Sequence, residues 1–465
     1  MSEHSFDLII IGGGPAGYVG AFRAAQRGAR TAVVEEKYLG GTCLNVGCIP
    51  TKALIHAAEL LDSAKEAARF GISFGPASFD PDKVRAYKDR VVKQLVSGVE
   101  FLLSQRKVEV FRGHGTLTAP GEVRVDSPEG VVTLQAPRVV LGTGSYPVRL
   151  PLGDPQDPAI MTSDEAVQLP GPPASLAIIG AGAIGCEFAY LYSAFGAQVT
   201  LVEMLPRIMP TEDPEAAEVL AKALAKRGVK MVTGARVTAL DPCEAGRRVE
   251  WETEACGDAV EVEQVLVAVG RRSATANLGL EELGVAMDRA NVKVNERLET
   301  SVPGLYAAGD CVRGVGLAHQ ASHEALAAVD NALGYESPIC ESCIPAGIYT
   351  NPEIASVGLR EHEATERGIA VTVGKFPFSA LAKATVLGKR EGFVKLVADA
   401  ASGVMLGGTI VGPHATELIA EVTLAVQHKL TMADVAETVH GHPTLNEAVG
   451  EAAFAGIGLP LHYMG

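Results

Sequence analysis

Short runs of consecutive apolar residues recur along the chain, each running into a glycine-rich turn and then a helical stretch. Phe6-Asp7-Leu8-Ile9-Ile10-Ile11 lacks the alternation of a half-exposed strand and predicts one buried on both faces, as in a parallel sheet. Gly12-Gly13-Gly14-Pro15-Ala16-Gly17 follows, then an alanine-rich helical stretch, then an apolar strand at 31–34 that ends at Glu35. The same pattern returns at 176–179, Gly180-Ala181-Gly182-Ala183-Ile184-Gly185, and 199–202, ending at Glu203. In both copies the acid lies 23 residues beyond the first glycine. Each half also closes alike, with an apolar strand before Gly142-Thr143-Gly144 and another before Gly270-Arg271-Arg272. This is an internal duplication.

Between the two copies, residues 53–70 and 81–106 have helical periodicity, and 108–125 read as short strands. The proline-rich stretch 147–173 reads as a linker. Farther on, Leu305-Tyr306-Ala307-Ala308-Gly309-Asp310 predicts a strand ending in Gly-Asp, with a helix over about 318–332. From 344 the pattern changes to strands (372–376, 392–397, 404–411) and helices (415–427, 432–439), a separate α+β unit. The expected fold is α/β, two duplicated Rossmann-like dinucleotide-binding domains plus a C-terminal α+β domain. The expected boundaries are 1–147, 148–276, 277–343 and 344–465.

Composition narrows the function classes. A net charge of −15 argues against nucleic acid and anionic membranes as partners, while leaving basic protein surfaces open. Eight irregularly spaced cysteines do not make a secreted disulfide framework. The start of the chain has no basic region before its first apolar strand, and no uncharged apolar run reaches membrane-spanning length. The expectation is a cytoplasmic protein, or an organellar one after removal of a transit peptide.

Both glycine motifs have the context of a dinucleotide site: strand before, helix after, acid at the end of the next strand. Glycines let the backbone approach a pyrophosphate at the helix N-terminus, and the acid accepts from a ribose hydroxyl. At the second site Glu203 favours NAD over NADP, because a carboxylate repels a 2′-phosphate; Arg207, four residues on, is the observation against it. Two such sites in one chain suggest electron transfer between two dinucleotides.

Gly40-Gly41-Thr42-Cys43-Leu44-Asn45-Val46-Gly47-Cys48-Ile49-Pro50-Thr51-Lys52 carries the candidate chemistry. Residues five apart on a regular helix point in different directions, so Cys43 and Cys48 can join only where the backbone leaves the helix. Asn45 and Gly47 permit that departure. Pro50 suits a first helical turn, which puts Cys48 at the positive helix end, where a thiolate is favoured. The two sulfurs are therefore expected to be unequal. A bridge kept only for stability is the competing reading, yet it would close a small loop worth about 2 kcal/mol in a chain large enough to need no staple.

His442-Pro443-Thr444-Leu445-Asn446-Glu447 has two readings. It can be a His–Glu acid–base dyad, or a helix start in which Thr444 and Glu447 form a capping box, the reading the residues alone favour. His440 is a competing base and Glu451 a weaker competing carboxylate. Cys340 and Cys343 form a C-x-x-C with no further paired ligands nearby and are expected to be ordinary thiols; no metal site is expected. Cys186 and Cys311 are expected in packing, and Cys243 and Cys256 in an exposed hairpin.

Taken together, these motifs closely resemble the dihydrolipoamide dehydrogenases, within the FAD- and NAD(P)-dependent pyridine nucleotide–disulfide oxidoreductases of class I. The likeness runs through essentially the whole chain. It implies an FAD site at Gly12, Gly14, Gly17, Glu35, Thr42, Lys52, Gly115, Asp310 and Ala318, and an NAD site at Gly180, Gly182, Gly185, Glu187, Glu203, Val237 and Gly270. It implies that Lys52 pairs with Glu187, that Cys48 faces the flavin and that Cys43 exchanges with substrate. His442, oriented by Glu447, would come from the other subunit of a homodimer, making the C-terminal domain the interface. The implied activity is oxidation of dihydrolipoyl groups with NAD+, with the lipoyl domain and core acyltransferase of 2-oxoacid dehydrogenase complexes as partners. Gly142, where the family usually has alanine, and His323, where it often has an acid, are small departures.

Other readings are a glutathione or coenzyme A disulfide reductase, or a non-catalytic flavoprotein sensing NAD(H). Glu203 and the run Ile49-Pro50-Thr51-Lys52 disfavour glutathione reductases. Mercuric and large thioredoxin reductases need a reactive pair near the C-terminus, and no cysteine follows Cys343.

Overall fold

The structure is a computed structural model that describes residues 3–312 and 316–463. Its centre is a pair of five-stranded, wholly parallel sheets of matching design. The first runs Leu305–Ala307, Val139–Leu141, Leu8–Ile11, Thr31–Glu35, Glu109–Arg112. The second runs Ile160–Met161, Gln264–Val267, Ser175–Ile179, Gln198–Val202, Lys230–Val232. Their central strands are buried, apart from the leading Ser175 of the second, which is why they read as apolar runs. The duplication extends to an antiparallel three-stranded meander in each half: His114–Ala119, Glu122–Ser127, Gly130–Gln135 in one, Arg236–Cys243, Gly246–Glu252, Gly257–Val262 in the other.

The third glycine of each motif is forced by this packing. A Cβ on Gly17 would stand 1.8 Å from the Gly12 carbonyl oxygen, and one on Gly185 1.9 Å from that of Gly180. Each helix thus starts directly against the strand end that precedes it. Gly185→Ala should therefore cost about 3 kcal/mol through overpacking, read as a lowered denaturation midpoint in urea; an unchanged midpoint would show that the turn can yield.

Residues 147–173 are not a free linker. Ser145–Pro147 pairs with Arg271–Ser273, Ile160–Met161 forms an edge of the second sheet, and Ser163–Ala166 is a helical turn with a Thr162/Glu165 capping box. Prolines at strand and turn ends are compatible with all three, so proline density misled.

The C-terminal unit is an antiparallel sheet in the order Ala346–Ile348, Glu353–Gly358, Met405–Gly412, Phe393–Asp399, Val371–Pro377, covered by the helices Ala415–Gln427, Met432–Glu437 and Glu447–Gly456. Strand Glu353–Gly358 escapes the apolar pattern because Ser356 interrupts it; the buried Ser356 hydroxyl accepts from the Arg360 guanidinium at 2.9 Å. Among the described residues no helix is long and apolar enough to cross a membrane, and no group of three or more His, Cys, Asp or Glu could hold a metal ion.

Candidate active site

One cavity of about 1320 Å³ runs between the two parallel-sheet units. Both glycine turns, the Cys43–Cys48 segment and Lys52 open into it. Of the cofactor residues expected from sequence, all but Gly17 and Gly185 line its wall, and those two sit behind their turns.

The reactive segment is built as its residues require. A short helix, Gly41–Asn45, stops at Val46 and Gly47, and a new helix, Cys48–Glu66, starts at Cys48. Asn45 holds the break by donating its side-chain amide to the Leu39 and Gly41 carbonyls at 2.9 and 3.0 Å. Gly41, at φ +57°, lies so near the first glycine turn that a Cβ would stand 2.6 Å from the Gly14 Cα. That contact pins the dithiol beside the pyrophosphate-type cradle.

Cys43 and Cys48 are free cysteines of the cavity wall, close enough that each shifts the ionisation of the other. They are unequal. The hydrogen bond from Cys43 draws the Cys48 thiol down to about 7 against the opposing effect of burial, helped by the Lys52 charge and by the Cys48 backbone N–H. Hydrogen bonding to Cys48, then burial, pushes the Cys43 thiol up. The helix end expected to favour Cys48 is present, but its partner thiol and Lys52 contribute more. Because the Cys48 value lies below the ordinary thiol value of 9.0, its thiolate is populated above about pH 7 and lost as the pH falls through it. The thiolate absorbance of reduced, cofactor-free protein should rise near pH 7, and Cys48→Ser should remove that step. A first step near pH 9 in both proteins would contradict the asymmetry.

Lys52, one turn along the same helix, bonds both Glu187 carboxylate oxygens at 3.0 and 2.8 Å. Burial works against its charge, yet Glu187 and Cys48 outweigh it, leaving the Lys52 ammonium more firmly protonated than usual. Glu187 also accepts the Tyr349 backbone N–H at 3.0 Å, and Lys52 stands 4.4 Å from the Tyr349 ring centre. Tyr349 had no signal in the sequence, since a main-chain donor reached across domains has no motif.

The fit to dinucleotides rests on the main chain. A Cβ on Gly14 would meet only the Gly41 Cα at 3.7 Å, and one on Gly182 nothing within 4 Å, so each second glycine leaves open space. The helices Pro15–Gln26 and Ala183–Ala194 begin there without side-chain caps, which leaves their first-turn N–H groups without a side-chain partner. Glu35 accepts the Gly13 and Lys37 N–H groups at 2.6 and 2.7 Å; Glu203 accepts those of Ala181 and Leu205 at 2.6 and 2.8 Å. Arg207 is spent on the carbonyls of Met209, Pro210 and Glu212, which removes it as a 2′-phosphate ligand in this arrangement. Asp310 accepts from the Ser145 hydroxyl at 2.5 Å, and Arg271 donates to that hydroxyl, two further cavity residues the motifs did not single out as partners.

His442 and Glu447 are not among the residues lining this cavity. They pair with each other, Nδ1 to Oε1 at 2.8 Å, with the imidazole side chain 72% exposed. Glu447 also accepts the Thr444 backbone N–H through its other oxygen at 2.8 Å. The expected capping box does not form: the helix starts at Glu447 itself, after Asn446 and without a side-chain cap, and the Thr444 hydroxyl turns to the Gly441 carbonyl, so Glu447 gives one oxygen to the imidazole and the other to the turn before the helix. The competitors are engaged elsewhere, His440 with Glu421 and Glu451 with His462. Cys340 and Cys343 are not ordinary thiols but are joined by a disulfide; two-residue spacing in a tight turn brings their Cα atoms to 5.5 Å, inside bonding range. Cys186 and Cys311 are buried, as packing residues should be.

Residues 6–325 match the family described as pyridine nucleotide-disulphide oxidoreductase, and residues 344–453 match its dimerisation domain. The chain belongs to this family. A dihydrolipoyl dehydrogenase of Thermus scotoductus is 45% identical, covering 97% of each chain. One from Bacillus subtilis is 40% identical over 98% of this chain and 99% of its own. The crystal structure of LpdA from Mycobacterium tuberculosis superimposes with a TM-score of 0.90 at 30% identity, covering 97% of this chain and 99% of that one. The family's cofactors are FAD and NAD, and its dimerisation domain makes the protein a homodimer.

Proposed function

We propose that the protein is a dihydrolipoyl dehydrogenase, oxidising dihydrolipoyl groups to lipoyl disulfides with NAD+. The observation that carries this reading is the unequal Cys43/Cys48 pair, set in one cavity with two glycine cradles and the Lys52–Glu187 ion pair. In this reading Gly12, Gly14, Gly17, Glu35, Thr42, Lys52, Gly115, Asp310 and Ala318 hold FAD. Gly180, Gly182, Gly185, Glu187, Glu203, Val237 and Gly270 hold NAD.

His442, held by Glu447 so that Nε2 faces outward, takes a proton from one dihydrolipoyl thiol. The resulting thiolate attacks Cys43 Sγ, breaking the Cys43–Cys48 bond and freeing Cys48 as a thiolate. The second substrate sulfur, its proton passing to the departing Cys43 sulfur, then closes on the first sulfur and releases Cys43 as a thiol. Cys48 suits the leaving position because its thiolate is the favoured one near neutral pH. Lys52 stabilises that charge while Glu187 fixes the ammonium. FAD, when bound, supplies the two-electron path from the dithiol to NAD+. Since His442 is absent from the cavity of its own chain, the reading takes it from the other subunit.

The cytoplasm, and the lipoyl domain and core acyltransferase of 2-oxoacid dehydrogenase complexes, are the expected setting and partners. Steady-state rates with lipoamide, glutathione disulfide and coenzyme A disulfide, each with NADH and NADPH, test the assignment. Lipoamide with NADH should be the fastest pair, and NADH should exceed NADPH by ~100-fold because the Glu203 carboxylate opposes a 2′-phosphate. A faster reaction with another disulfide, or with NADPH, would overturn it.

A further inference from the structure

Two cysteines outside the cavity have no part in this chemistry. Cys340 and Cys343 are bonded to each other across the short turn Glu341–Cys343. Cys340 is exposed, whereas Cys343 packs against the C-terminal core. A bridge closing so small a loop restricts the unfolded chain little, and the cores on either side are large without it. Stabilisation therefore does not account for the bond. Exposed disulfides are the ones open to exchange, and C-x-x-C is a spacing used by dithiol redox motifs.

The surroundings fit reversible opening. The Ser342 hydroxyl lies 3.6 Å from Cys340 Sγ and 3.9 Å from Cys343 Sγ, placed to donate to whichever sulfur is released. Two residues on, the Pro345 carbonyl bonds His319 Nε2 at 2.6 Å, and His319 lines the cavity. At the end of the same strap the Tyr349 N–H holds Glu187, the partner of Lys52. The disulfide thus closes the far end of a segment that touches the active cavity twice.

We propose that Cys340–Cys343 is a second thiol–disulfide exchange site, a surface couple reduced directly by small dithiols of the dihydrolipoyl class and not through the flavin. A thiolate of the dithiol attacks the exposed Cys340 Sγ. The new sulfur–sulfur bond breaks the Cys340–Cys343 bond, and Cys343 leaves as a thiolate. The second sulfur of the dithiol, its proton lost to solvent, closes on the first and displaces Cys340. The dithiol is oxidised by two electrons to a cyclic disulfide, and both cysteines end as thiols with two protons taken up. The inference rests on the proposed activity only for its choice of reductant.

The test is cysteine labelling of the holoenzyme under anaerobic conditions, with maleimide trapping and peptide mass mapping after exposure to NADH or to dihydrolipoamide. NADH should expose Cys43 and Cys48 alone. Dihydrolipoamide should expose those two and also Cys340 and Cys343. In Cys43→Ser/Cys48→Ser protein dihydrolipoamide should still open the surface pair nearly completely, and excess lipoamide should close it again. Cys340 and Cys343 that stay unlabelled in dihydrolipoamide, or that are labelled without any reductant as the free Cys243 and Cys256 are, overturn the couple. Equal labelling of all four by NADH overturns direct exchange. Failure of NADH to expose Cys43 and Cys48 counts against the flavin-linked activity instead, and is read at different residues.

Discussion

Cys48→Ser should lower lipoamide turnover by ~10⁴-fold or more, because removing one member of a pair that acts as a unit removes nearly all its catalysis. The substitution leaves Cys43 without a bonding partner, so neither the attack on a disulfide nor the release of a thiolate can occur. It changes little else: Cys48 is only partly buried, and serine fills almost the same volume. Binding of FAD, and oxidation of NADH by an artificial one-electron acceptor, should therefore persist. That control separates a lost dithiol from a lost fold. Retained lipoamide turnover in the variant would mean that the electrons leave by another route, and the central chemical claim would fail.

His442→Ala should cost ~10²–10⁴-fold in kcat/KM for dihydrolipoamide, the usual worth of a positioned acid–base group. The loss should shrink as pH rises toward the substrate thiol pKa, because the thiolate then forms without help. Glu447→Gln should give a smaller loss in the same direction, since Glu447 orients the imidazole through Nδ1 and pins the Thr444 turn with its other oxygen. Subunit mixing makes the cross-subunit assignment decisive. Dimers formed from Cys48→Ser and His442→Ala chains should regain roughly a quarter of wild-type activity, because in a two-fold dimer the mixed pairs rebuild one intact site. A base acting within its own chain would leave every mixed dimer dead.

Much of the fold was legible in the residues, for a physical reason. Strands buried on both faces must be continuously apolar, and a strand-to-helix turn that carries a pyrophosphate must be glycine where backbone meets backbone. Gly17 and Gly185 have no room for a methyl group where they stand, so their spacing is dictated by the turn itself. The break between Cys43 and Cys48 was equally readable, because Asn45 and Gly47 are what a helix interruption there requires. Elements without such obligations were hidden. Strand Glu353–Gly358 carries a buried serine satisfied by Arg360, and short strands among the prolines of 147–173 look like linker.

What the sequence determined by itself was therefore the duplicated nucleotide-binding architecture and the candidate reactive pair, while the candidate partners Lys52, Glu187, His442 and Glu447 were implied by the family resemblance. Only the tertiary structure decided how these are used. Glu447 divides its two oxygens between imidazole and main chain, Arg207 is consumed by three carbonyls, Cys340 is bonded to Cys343, and His442 lies away from its own chain's cavity. Motifs record which side chains are required at fixed spacings along one segment. How each polar atom is satisfied depends on groups that arrive from distant segments, and no local spacing carries that information.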